Sequence, residues 1–159
     1  MQAKLAQLPV SFGNPVALRV GFLMSLAIMF LDMIPGLNLL FLIWWLGAGW
    51  CAVLLYRRLT GRLLNIRDGA RLGSITGVLA FVSMAIVFTL SVVFAGKQFM
   101  ELMVQQDPRM AQIVNDPPML AAGLVFTLLF AFVGVVGICA AGGALGARFS
   151  APGPNETRL

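Results

Sequence analysis

The residues of this chain that could perform chemistry are few. The 159-residue sequence contains no histidine, and its two cysteines, Cys51 and Cys139, are not arranged as a C-x-x-C pair. Without histidine, bis-histidine haem ligation, histidine-based metal sites and Ser/His or Cys/His nucleophile pairs are excluded. A G-x-x-x-x-G-K-[ST] phosphate-binding loop is also missing from the sequence. We therefore predict that the protein is not an enzyme and has no catalytic residue, cofactor or metal site.

Asp32 is the main polar candidate, because it lies near the end of a long apolar stretch. A charged side chain within a bilayer is costly to bury, so such residues are functional candidates by default. Two interpretations stay open. Asp32 is either an interfacial carboxylate that caps a helical hairpin or the polar coupling site of a small oligomeric transporter or channel.

The composition shows what kind of scaffold must position these residues. The chain is 60% hydrophobic and 11% charged, whereas soluble domains carry about 25% charged residues. Disordered chains are poor in large apolar residues, so disorder is excluded as well. A membrane-spanning helix needs about 20 mostly apolar residues. Four stretches qualify, and the sequence predicts transmembrane helices over residues 16–34, 37–56, 71–95 and 119–147.

The predicted fold is an all-α integral membrane protein, a four-helix bundle of two helical hairpins that forms a single membrane domain over residues 1–159. The first helix is interpreted as a retained signal anchor, because its apolar run exceeds the ~7–15 residues of a signal-peptide core. Between and after the helices we predict an arginine-rich loop over 57–70, an outer loop over 96–118 and a flexible tail over 150–159.

Proline, asparagine and aspartate mark the predicted helix ends. Asn14 precedes Pro15 as a helix cap, and Pro35-Gly36 divides the first long apolar run into two helices. Asp68 is predicted to cap the third helix, and the segment 115–118 to begin the fourth.

The basic residues predict the orientation. Nine of the eleven lie on one side of the predicted helices, namely Lys4, Arg19, Arg57, Arg58, Arg62, Arg67, Arg71, Arg148 and Arg158, and only Lys97 and Arg109 lie on the other. Basic residues in short loops stay in the cytoplasm. Both termini and the arginine-rich loop are therefore predicted to be cytoplasmic, with Tyr56 at the inner headgroup region.

The arginine cluster at residues 57, 58, 62, 67 and 71 has two interpretations. It either controls topology alone or also binds anionic lipid headgroups. Leu59, Leu63, Leu64 and Ile66 lie among these arginines, and this mixture indicates a segment on the inner leaflet rather than a nucleic-acid site.

Small residues at helical spacing predict where helices pack. Such residues let helix backbones approach closely in lipid. The predicted packing positions, in the style of a glycine zipper, are Gly69, Gly73, Gly77, Gly134, Gly137, Gly142 and Gly146. They serve either packing within the chain or an interface with another helix. Trp44, Trp45 and Trp50 are interpreted as packing residues or as a surface that faces a lipid tail, quinone or pigment.

One segment resembles a known group of sequences. Residues 56–61 (YRRLTG) and 68–77 (DGARLGSITG), together with the ending 142–147 (GGALGA), are similar to uncharacterised bacterial four-helix membrane proteins, including proteins of Acidobacteria. The resemblance implies four helices, cytoplasmic termini and a bacterial cytoplasmic (inner) membrane location. It implies no activity.

These observations predict a small multi-pass membrane protein without chemistry of its own. Its expected role is that of a structural, assembly or accessory component of a membrane complex, and the alternative is a small oligomeric transporter or channel that uses Asp32. The expected partners are the lipid bilayer and either further copies of the chain or other membrane subunits.

Overall fold

The structure, a computed structural model, describes residues 9–32, 34, 40–106 and 116–150. These residues form four helices and no strand. The helices are α1 (Pro15–Asp32), α2 (Phe41–Thr60), α3 (Ile66–Gln106) and α4 (Pro117–Ser150). The predicted break at Pro35-Gly36, the tail beyond residue 150, and the basic residues Lys4, Arg109 and Arg158 lie outside the described residues.

Within the described residues, three helices have the length and apolar composition needed to cross a membrane. They are α1, the segment Ile66–Ser91 of α3, and α4. The prediction of an all-helical chain with helices able to span a membrane is thereby confirmed. The remaining helix, α2, is less apolar than these three segments, because three tryptophans and the pair Arg57-Arg58 lie within its 20 residues.

The start of α1 is fixed to the end of α2. The Asn14 side chain accepts hydrogen bonds through Oδ1 from the backbone N–H groups of Val16, at 3.0 Å, and Ala17, at 3.5 Å. Its Nδ2 donates to the hydroxyl of Tyr56 at 3.1 Å, and both side chains are fully buried. The prediction that Tyr56 meets the lipid headgroups is wrong for its side chain, because Asn14 holds the phenol inside the bundle.

The connection between α2 and α3 is shorter than the predicted loop over 57–70. Gly61 ends α2 in the left-handed conformation, with φ of 67°, and its N–H donates to the carbonyl of Arg57 at 2.8 Å. Helix α3 begins at Ile66 rather than near residue 71, and the Ile66 N–H donates to Asn65 Oδ1 at 2.7 Å. Asp68 therefore lies in the first turn of α3 instead of preceding it.

Helix α3 changes direction at the predicted end of its membrane span. Ala95 has φ of −123° and ψ of 18°, which is a kink inside the 41-residue helix. A straight helix of this length would measure about 60 Å, twice the ~30 Å thickness of the hydrocarbon core. The predicted outer loop over 96–118 is thus partly helical, since α3 continues to Gln106 and α4 begins at Pro117.

The helices alternate in direction along the chain. Helices α1 and α4 each pack against both α2 and α3, which also contact each other. Along the α2–α4 contact, Leu46 lies against Gly142 and Trp50 against Gly146. Residue numbers increase together along these two helices, so α2 and α4 are parallel.

The closest approach in the bundle is between α4 and the pair α2–α3. A Cβ atom on either Gly49 or Gly73 would overlap the carbonyl oxygen of Cys139, and a Cβ on Gly143 would overlap that of Gly69. We call this contact the glycine seam. It comprises Gly49, Gly69, Gly73, Gly77, Cys139, Gly142, Gly143 and Gly146. Small residues are needed here because any side chain would push the helix backbones apart.

Two of the predicted packing positions, Gly134 and Gly137, do not belong to the seam. No heavy atom of the described residues outside their own helix lies within 4 Å of a Cβ placed on either glycine. Residue 137 is two positions before Cys139, which is about 200° of rotation around a helix with 3.6 residues per turn. Of the two interpretations left open for the small residues, packing within the chain is wrong for these two glycines, because they face away from α2 and α3.

Substitution of one glycine on each face of α4 tests the seam. In Gly143→Ala, overlap with the backbone of α3 should lower stability by about 1–3 kcal/mol or more. In the control, Gly137→Ala, we expect no loss and a gain of up to about 1 kcal/mol, because alanine favours helix more than glycine does. Unfolding in mild detergent, followed by circular dichroism, measures both. Equal destabilisation by the two substitutions would contradict the seam.

Candidate functional site

An apolar cavity of about 240 Å³ lies between α1, α2 and α3. Positions 25, 28, 29 and 32 of α1 share one face of that helix, as do positions 80, 84 and 87 of α3. Trp45 of α2 completes the wall. The lining residues are Ser25, Ile28, Met29, Asp32, Trp45, Ala80, Met84 and Val87.

Besides the Trp45 indole, the cavity lining has two polar side chains, which differ in how well they are paired. Ser25 is buried, and its hydroxyl donates to the carbonyl of Phe22 at 2.8 Å, so it is satisfied within its own helix. Asp32 is partly exposed, and its carboxylate makes no hydrogen bond or ion pair with the part of the chain that the structure describes. Seven residues separate the two, which corresponds to about 10 Å along α1. The cavity is therefore an apolar slot with a carboxylate at one end.

Trp45 connects the cavity to the glycine seam. Its side chain is only 6% exposed and packs with Ile28, Ala80 and Cys139. The Cys139 thiol donates to the Trp45 carbonyl at 3.5 Å. The position of this wall therefore depends on how closely α4 approaches α2.

The other two tryptophans lie outside the cavity lining. Trp50 stacks on Phe149 of α4, with ring centroids 5.4 Å apart and an interplanar angle of 6°. Trp44 is partly buried, and its indole N–H has no acceptor among the described residues. Trp45 and Trp50 thus contact protein, in agreement with the packing interpretation.

The arginines collect at the opposite end of the bundle from Asp32. The Asn14–Tyr56 hydrogen bond places the start of α1 beside the end of α2, and Gly69 against Ala147 places the start of α3 beside the end of α4. The described arginines at this end are all exposed, namely Arg19, Arg57, Arg58, Arg62, Arg67, Arg71 and Arg148. We call them the basic end. Of the described acidic residues, Asp68 lies at this end, in the first turn of α3, whereas Asp32, Glu101 and Asp116 lie away from it.

Arg57 has a defined role at the basic end. Its Nη1 donates to the carbonyl of Ser150 at 3.0 Å. A cation beside the last carbonyls of a helix interacts favourably with the helix dipole. This contact joins the end of α2 to the end of α4 through side chain and backbone.

Sequence reasoning found Asp32 but missed the residues that surround it. Ser25 lies two helical turns before Asp32, in the otherwise apolar stretch 20–31, and that spacing was the available signal. Gly49 and Gly143 were also missed as close-contact positions, although each lies among small residues at helical spacing. The partners Ala80, Met84 and Val87 had no signal, because they are ordinary apolar residues in a long apolar helix.

Chemically, the arrangement provides one carboxylate in an apolar cavity. Within the described residues, no group of three or more histidine, cysteine, aspartate or glutamate side chains is placed to hold a metal ion. Comparison of the chain with protein-family models, with curated proteins and with solved structures finds no match. The functional argument therefore depends on the geometry alone.

Proposed function

We propose that all four helices cross the membrane. Helix α2 has 20 residues, which gives about 30 Å at 1.5 Å per residue and matches the hydrocarbon core. It also runs parallel to the apolar helix α4. The contact begins where Leu46 lies against Gly142 and continues to the hydrogen bond from Arg57 to the carbonyl of Ser150. A helix packed lengthwise on a membrane span lies within the same layer, which supports a fourth crossing despite the tryptophans of α2.

We further propose that the basic end faces the cytoplasm of a bacterial cell, with both termini on that side of the cytoplasmic membrane. The support is the collection of exposed arginines where α1 and α3 begin and where α2 and α4 end. Basic residues near the ends of spans remain in the cytoplasm. At this surface the cluster also attracts anionic headgroups, at about 1 kcal/mol per residue.

Single cysteines test the number of crossings. On a Cys51→Ala, Cys139→Ala background, we expect Ser11→Cys, Leu63→Cys and Ser150→Cys to be protected from a membrane-impermeant maleimide added outside spheroplasts. Gln106→Cys should react, because it follows α3 on the outer side. Permeabilised cells provide the control for reactivity. Protection of Ser11→Cys together with reaction of Leu63→Cys would show that α2 does not cross.

The function that the geometry supports best is that of a structural, assembly or accessory component of a membrane complex, without chemistry of its own. The observation that carries this proposal is a second small-residue face on α4, made by Gly134, Gly137 and Ala141. Both glycines have open space beside them, and Ala141 is exposed. Phe126 and Phe130, on the earlier turns of α4, are 71% and 76% exposed. Such a face allows a further helix to approach closely.

Bulky substitution of this face tests the proposed role. The chain, purified from its native membrane in mild detergent, should carry stoichiometric partner subunits. The double variant Gly134→Leu, Gly137→Leu should lose them while its own unfolding stays unchanged. Gly47→Leu is the matched control, because Gly47 of α2 also has open space beside it, and it should keep the partners. If Gly47→Leu lost the partner subunits while the double variant kept them, a docking role for α4 would be contradicted.

A second candidate function, a small oligomeric transporter or channel that uses Asp32, is favoured by the cavity described above. The same purification separates the two, because this candidate requires a homo-oligomer without other chains. A substrate or proton flux in liposomes that Asp32→Asn abolished would contradict the accessory role.

A further inference from the structure

We propose that the cavity between α1, α2 and α3 is a binding site for a monovalent organic cation with a small apolar body, whose charged group lies at Asp32. This inference goes beyond a role in a membrane complex. It holds whether the chain works as a subunit or as an oligomer, since all the lining residues come from one chain.

The first argument is the charge of the cavity. Asp32 is its single ionisable lining residue, and the carboxylate has no cationic partner among the described residues. The arginines of the basic end are at the other end of the helices. An isolated carboxylate beside apolar walls is unfavourable, and a cation at short range relieves that cost most effectively where water is scarce.

The second argument is the chemistry of the walls. Trp45 lines the cavity, and aromatic rings attract ammonium groups, above all quaternary ones. Met29 of α1 and Met84 of α3 also line the cavity. Methionine side chains are flexible and polarisable, so they adapt to apolar bodies of different shape. An anion is disfavoured here, because the Asp32 carboxylate repels it and the Ser25 hydroxyl already donates to Phe22.

The third argument is size. The cavity has a volume of about 240 Å³, and an engineered apolar cavity of about 150 Å³ in another protein holds benzene. One aromatic ring with a small ammonium substituent therefore fits, and its long axis matches the ~10 Å between positions 25 and 32 of α1.

The fourth argument is access. Met84 and Val87 of α3, both in the cavity wall, are 37% and 41% exposed, so this wall borders the surface of the bundle. In a bilayer this side faces the hydrocarbon. A ligand that enters there must first partition into the membrane, which selects cations with an apolar body over small inorganic ions.

Benzyltrimethylammonium is a suitable probe, and neopentylbenzene is its neutral isostere. Equilibrium dialysis of the full chain in detergent, with protein-free micelles as the blank, should show saturable binding of the cation at one site per chain. Asp32→Asn should weaken it about tenfold or more, since a charged interaction is lost. Asp32→Glu should retain most of the affinity, and neopentylbenzene should compete weakly.

A second pair of variants tests the location. Ala80→Leu places extra atoms in the cavity and should abolish binding, whereas Ala141→Leu, on the free face of α4, should leave it unchanged. The proposal is overturned if Asp32→Asn binds as well as the original chain, or if the neutral isostere competes equally. Should Ala80→Leu fail to fold, the comparison of Asp32→Asn with Asp32→Glu decides the question.

The ammonium group could belong to a free cation or to a phosphatidylethanolamine headgroup. Repeating the dialysis in nanodiscs with a fixed fraction of phosphatidylglycerol, the remainder being first monogalactosyldiacylglycerol and then phosphatidylethanolamine, separates these sources at constant surface charge. A lower apparent affinity in the second lipid mixture assigns the site to the headgroup, and an unchanged affinity assigns it to a free cation. Absence of saturable binding in both mixtures would overturn the proposal.

Discussion

The bundle depends on the approach of α4 to α2 and α3 at a distance that only glycine permits. Water cannot drive helices together inside lipid, so association relies on close backbone contact. The carbonyl of Cys139 occupies the space where Gly49 and Gly73 would otherwise carry side chains, and Gly143 fits against Gly69 in the same way. One segment of α4 thereby contacts two helices at once, and the other contacts in the bundle are arranged around it.

The seam also determines the two ends of the molecule. Because α4 is held parallel to α2, its last turn reaches Arg57, and the arginines of four helix ends share one surface. At the other end, Trp45 is held against Cys139, while α1 presents Ser25 and α3 presents Ala80. Because Ser25 and Ala80 are small, space remains between them and the large Trp45 side chain, and this space is the cavity next to Asp32. Basic end and cavity are thus separate features of one packing arrangement.

Much of the architecture was predictable because it follows from hydrophobic length and proline positions. The prediction of helices from residues 16 and 119 lies within two residues of the observed starts at Pro15 and Pro117, since proline is favoured in the first turn. The start of α3 was misplaced, because Asp68 imitates a cap within the first turn. Burial of Tyr56 depends on its tertiary contact with Asn14, which local sequence does not reveal. Gly134 and Gly137 were grouped with the seam because spacings of three and four drift around a helix from one face to another.

The two native cysteines allow the most direct test of the seam. Cys51 is exposed on α2, whereas Cys139 is buried at the centre of the seam. The full chain in mild detergent should therefore take up one N-ethylmaleimide, on Cys51, and a second on Cys139 only after unfolding in SDS, as read by intact and peptide mass spectrometry. Modification of Cys139 in the folded protein at the rate of Cys51 would contradict the packing of α4 described above.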